Sequence, residues 1–104
     1  MIFTTKQGDT RKALKATLIP AHGNFDNAES VKFRMSDTLF NNKINRHVDI
    51  ESLPEVGVIF TPQEVAKPGT YYGELVVTFD DGKPDTYPTE GYITIKIEKN
   101  TGGA

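Results

Sequence analysis

The feature that most constrains this chain is the spacing of its turn residues. Gln7-Gly8-Asp9, Pro20 to Asn24, Ser36-Asp37, Asn41-Asn42, Pro54, Lys67-Pro68-Gly69, Asp80-Asp81-Gly82 and Gly102-Gly103 cut the 104 residues into short pieces. Within the pieces apolar and polar residues alternate with period two, the pattern of strands with one face buried. Tyr71, Gly73, Leu75, Val77 and Phe79 fall on one face, with Tyr72, Glu74, Val76 and Thr78 on the other. Ile93, Ile95 and Ile97 alternate with Tyr92, Thr94, Lys96 and Glu98. Val31, Phe33 and Met35 repeat the theme, as do Leu14, Ala16 and Leu18, and then Val56, Val58 and Phe60. Ile2 to Lys6 gives a further strand, and Ile44, Val48 and Ile50 share a face with the discordant Arg46. Arg11 to Ile19 holds good helix formers, but Thr10, Thr17, Ile19 and the alternation favour a strand. The other helix signals are single turns, at Asp26 to Glu29 and at Gln63 to Ala66, where Pro68 stops any extension. The pattern predicts an all-β antiparallel β-sandwich of about 7–8 short strands. Residues 1–99 form its one domain, and 100–104 read as a flexible tail and a possible truncation point of a longer protein.

Turn chemistry sharpens the pattern. Asp81-Gly82 supplies the positive φ of a tight hairpin between two of the best strands. Pro84 and Pro88 belong at an edge or a bulge, where a missing N–H is tolerated. Gly73 and Gly91 stand in strand-like surroundings, where glycine marks a bulge or a close backbone approach.

Composition excludes several function classes. With 12 Lys+Arg against 14 Asp+Glu, the chain carries a formal charge of −2 and has a pI near 5.6. Its basic residues are scattered, so nucleic acid is not an expected partner. No apolar run exceeds Val56 to Phe60, which is too short to cross a bilayer, and no leader-like segment follows Met1. The lack of Cys removes disulfides, thiolate metal sites and thiol nucleophiles together.

No catalytic constellation emerges. Ser30, Ser36 and Ser52 lack a nucleophile-elbow setting, and His22 and His47 lie in separate elements. Asp80, Asp81 and Asp85 surround a glycine, but without the alternation and the distal Glu of a calcium loop. The isolated glycines do not form a phosphate cradle. The expectation is therefore no enzyme, no cofactor and no metal. Tyr72, Tyr87 and Tyr92 are weak binding candidates, expected on the solvent side, where aromatic rings stack sugars or anchor interfaces. Phe25 and Phe40 stand in polar connections, each open to two readings: an interface anchor, or a plug for an open end of the sandwich.

The order of motifs points further. Lys6-Gln7-Gly8-Asp9-Thr10 opens the chain, and Val31 to Asp37 follows a polar loop. Lys67-Pro68-Gly69-Thr70-Tyr71-Tyr72-Gly73-Glu74-Leu75 then leads to Phe79-Asp80-Asp81-Gly82 and to Thr86-Tyr87-Pro88-Thr89-Glu90-Gly91-Tyr92-Ile93-Thr94-Ile95-Lys96-Ile97. Over roughly residues 3–98 this series resembles the N-terminal domain of the upper baseplate proteins (BppU type) of tailed phages infecting Gram-positive bacteria. The resemblance implies a virion structural domain, an Ig-like antiparallel β-sandwich assembled in the host cytoplasm, that attaches a longer baseplate protein to the central tail hub. Its partners would be other phage tail and baseplate proteins. Receptor recognition would belong to parts of the longer protein beyond this domain. With no Cys and no zipper pattern, the isolated domain is expected to be a monomer or a weak dimer. A carbohydrate-binding module and a generic Ig-like surface module are the alternatives.

Overall fold

The computed structural model describes residues 1–102. Its eight strands are β1 (Ile2–Lys6), β2 (Leu14–Thr17), β3 (Ala28–Asp37), β4 (Asn42–Val48), β5 (Glu55–Val58), β6 (Gly69–Phe79), β7 (Pro84–Tyr87) and β8 (Ile93–Glu98). The larger sheet runs β1-β8-β6-β3-β4, with β7 also on β6, and β2 pairs with β5 in a second sheet. The result is an all-β sandwich with one large and one small layer. One pairing departs from a wholly antiparallel plan: β1 lies parallel to β8, Ile2 opposite Thr94 and Lys6 opposite Glu98.

β6 is the spine. β3 occupies all but the first two residues of one side, from Ala28 opposite Phe79 to Asp37 opposite Tyr71. On the other side its two halves take different partners, β7 opposite Leu75 to Thr78 and β8 opposite Gly69 to Gly73. Because β7 and β8 share one side of β6, Pro88 to Tyr92 must leave the sheet as a short excursion between them. Pro84 opens the short β7 and Pro88 begins the excursion, so neither needs a ladder N–H. Gly91 turns the excursion back at φ 72°, a conformation that side-chain-bearing residues avoid.

The alternation read from sequence becomes the core. Phe3, Val31, Phe33, Met35, Ile44, Tyr71, Leu75, Val77, Ile93, Ile95 and Ile97 point from the large sheet toward Leu14, Leu18, Val56, Val58 and Phe60. Each such side chain contributes about 1.5–3 kcal/mol by leaving water. Phe60 packs on Phe3 and Phe33, both at 5.7 Å between ring centroids. Gly73 is a close approach: a Cβ there would stand 2.8 Å from Ile95 Cδ1 and 3.1 Å from Phe33 Cε1.

One expectation changes here. Tyr87 was expected on the solvent side and instead is buried, because it pairs with Leu75 and cross-strand partners share a face. Its hydroxyl accepts a hydrogen bond from the Ala21 N–H at 3.2 Å. At the C-terminus, Asn100 is half-buried, and its side-chain amide donates to the Gln7 carbonyl at 3.1 Å. Of the tail expected at 100–104, Gly103 and Ala104 lie outside the described residues.

Candidate functional site

The solvent-facing side of the large sheet carries Tyr72 and Glu74, since Tyr71, Gly73 and Leu75 take the core side. The register sets Arg34 opposite Glu74 and Ser36 opposite Tyr72. Arg34 Nη2 lies 3.2 Å from Glu74 Oε1. Above this row two connections converge. The excursion brings Tyr92, and the β3–β4 turn brings Phe40.

The turn is built around Asp37. Its Oδ1 accepts hydrogen bonds from the Leu39 N–H at 2.9 Å and the Asn41 N–H at 3.0 Å, and its Oδ2 accepts from the Asn41 side chain at 3.1 Å. The Asn41 N–H above all, then the Asn41 and Leu39 donors and the Lys43 charge, hold this carboxyl below its ordinary value against an opposing effect of desolvation. The network forces Phe40 into the left-handed region at φ 64°, strained for a residue with a large side chain.

The three rings form one cluster. Tyr72 and Tyr92 stack at 5.0 Å with 23° between planes, and Phe40 touches both at 5.9 and 5.7 Å. Tyr72 and Tyr92 lie face to face and the exposed Phe40 ring is tilted against both, so the cluster makes a wall, not a flat platform of side-by-side rings. With Arg34, Ser36, Asn42 and Glu74 this wall encloses an open hollow of about 290 Å³. On its far side Tyr92 also borders a groove of about 330 Å³ between the excursion and the end of β2. That groove has buried Leu18, Tyr87 and Ile93 in its floor and exposed Met1 and Ile19 on its rim.

Of the three candidate tyrosines, Tyr72 and Tyr92 therefore meet, and Tyr87 sits in the core. The two loop phenylalanines divide. Phe25 folds back on Phe79 and Tyr87, at 6.3 and 6.0 Å, and plugs one end of the sandwich. Phe40 stands 60% exposed in the aromatic cluster. His22 and His47 are exposed on different elements, and Asp81 uses Oδ1 to accept the Lys83 N–H within the hairpin. Among the described residues no three His, Cys, Asp or Glu side chains gather as a metal site would require. Sequence reasoning did not single out Met1 or Ile19. The available signal was Ile19, an aliphatic residue out of phase with Leu14, Ala16 and Leu18 and placed directly before Pro20.

No protein-family model, curated protein or solved structure matches the chain. The likeness to upper baseplate domains rests on the residues quoted for it above.

Proposed function

We propose that this chain is a non-enzymatic structural domain of a phage tail baseplate, which attaches a longer baseplate protein to the central tail hub and so serves host adsorption. The motif series from Lys6 to Ile97 supplies the family context. The observation that carries docking is the apolar groove beside β2. Met1, Ile2, Ile19 and Tyr92 are 60%, 64%, 81% and 42% exposed along its rim and the adjoining sheet. Contiguous apolar surface bordered by polar residues is the usual mark of a protein interface. A stable interface takes about 800 Å² from each partner, a modest share of the 6602 Å² that this chain exposes. The adapter works in the virion, and its partners are tail and baseplate proteins.

The test is affinity capture from a lysate of phage-producing cells, with mass spectrometry of the retained proteins. Retention of a central tail or baseplate protein by the wild-type chain, lost with Ile19→Asp, is the expected result. Retention of no tail protein overturns the reading.

A further inference from the structure

The groove is apolar, but the hollow on the other side of Tyr92 has a different chemistry. The geometry points to a neutral-saccharide site in this outer-face hollow, walled by Phe40, Tyr72 and Tyr92 and furnished with hydrogen-bonding groups by Arg34, Asn42 and Glu74. It goes beyond the adapter role and does not depend on it.

Three observations converge. The first is chemical mixture: four of the eight residues around the hollow are Arg34, Ser36, Asn42 and Glu74, and three more are aromatic. A sugar ring offers both surfaces at once, C–H groups toward an aromatic face and hydroxyls toward polar side chains. Its C–H hydrogens carry partial positive charge, which the negative face of an aromatic ring attracts. The second is unused hydrogen-bonding capacity. Arg34 and Glu74 share one hydrogen bond, at 3.2 Å. The rest of the guanidinium, Glu74 Oε2, and the Asn42 and Ser36 side chains make no internal hydrogen bond among the described residues. Donors and acceptors thus lie together, as hydroxyls that both give and receive require. Arg34 and Glu74 cancel in charge, which removes any preference for phosphate or carboxylate ligands. The third is preorganisation. Phe40 is held at a strained φ by the Asp37 network, and the three rings brace one another, so little side-chain freedom is left to lose on binding.

Because the rings form a wall and not a platform, the hollow admits roughly one or two sugar rings. Affinity should therefore be weak, with Kd on the order of 1 mM. It should also stop rising beyond the disaccharide.

The experiment titrates the ¹⁵N-labelled chain with glucose and N-acetylglucosamine, their β-1,4-linked dimers and tetramers, and inorganic phosphate, following amide shifts. The expected result is a saturable response to at least one neutral sugar, confined to residues 34–36, 40–42, 72–74 and 92. Tyr72→Ala should weaken it about tenfold. Asn42→Ala, at an exposed strand end where folding is not at stake, should weaken it several-fold, and Ile19→Asp should leave it unchanged. No saturable response to any neutral sugar at about 20 mM, a response mapping elsewhere, or a response to phosphate alone would overturn the proposal. Loss of tail-protein capture with Ile19→Asp while sugar binding persists would separate this site from the docking groove.

Discussion

Arg46 is the residue whose side chain breaks the apolar face of β4, and its partner explains why the fold accepts it. Its Nε and Nη2 donate to Glu64 Oε2 and Oε1 at 2.8 and 3.0 Å, and Nη2 also donates to the Ile59 carbonyl at 2.8 Å. Glu64 Oε1 in turn accepts the Thr61 N–H at 2.8 Å. A bidentate pair whose guanidinium also reaches a backbone carbonyl and whose carboxylate also takes a backbone N–H can sit at the margin of a core, where a lone guanidinium could not. It ties β4 to the connection between β5 and β6. Burial acts to raise the Glu64 pKa, but the hydrogen bonds from Arg46 and Thr61 and the Arg46 charge outweigh it and hold the carboxyl below its ordinary 4.5. A carboxylate with a depressed folded pKa stabilises the fold fully above the unfolded value and loses that contribution as pH falls through the folded one. Glu64→Gln should therefore cost about 1–2 kcal/mol near neutral pH. In urea titrations at decreasing pH, the gap between wild type and variant should shrink below the ordinary carboxylate value of 4.5. A gap independent of pH would show that packing, not the charged pair, makes the connection stable.

Among the elements, the β3–β4 turn holds a residue in a conformation it does not favour. Phe40→Gly and Phe40→Ala remove the same ring, but only glycine takes φ 64° without penalty. Phe40→Gly should therefore be the more stable of the two by about 1 kcal/mol, measured as paired midpoints in chemical denaturation. Equal midpoints would mean that the turn relaxes once the ring is gone. This turn also marks where sequence reading stops. Strands were legible because period-two alternation is local, and Leu14 to Leu18, Val31 to Met35, Val56 to Phe60 and Tyr71 to Phe79 all keep the faces it predicts. The hairpin at Asp80 to Lys83 was legible through Asp81-Gly82, and it closes with the Gly82 N–H on the Phe79 carbonyl at 2.9 Å. Pairing is a non-local choice and was not legible. Nothing near Ile2 announces a parallel partner some 90 residues later, at Thr94. Tyr87 looks amphipathic and surface-bound until Leu75 is known to lie opposite it. Phe25 and Phe40 look alike in sequence, and only the positions of Phe79 and Tyr72 send one inward and the other out. The tyrosine pair of the hollow was half-legible: Tyr72 and Tyr92 were readable as outward residues, but their stacking depends on an excursion that the register of β7 and β8 creates.

At the scale of the whole molecule, the two layers are unequal, and that inequality leaves the apolar groove proposed above for docking. A sheet of six strands faces one of only two, so the smaller layer leaves part of the larger layer's core face to be closed by other means. Phe25 closes one region against Phe79 and Tyr87, and Phe60 closes another against Phe3 and Phe33. Between β2 and the Pro88–Tyr92 excursion the floor of Leu18, Tyr87 and Ile93 remains open to a partner. The charges do not compete for this role. Twelve basic and fourteen acidic residues nearly cancel, and Arg34, Lys43 and Arg46 each have a carboxylate within 4 Å. A partner would meet no strong long-range field and would bind mainly by removing apolar surface from water. Once the captured tail protein is in hand, calorimetric titration should give a negative heat-capacity change. The affinity should vary by less than about threefold between about 0.05 and 0.5 M NaCl. Ile19→Asp, which sets a charge on the groove rim, should weaken it by more than about tenfold. An affinity that collapses with salt while tolerating Ile19→Asp would move the docking surface from the groove to charged loops, leaving the unequal layers a matter of folding alone.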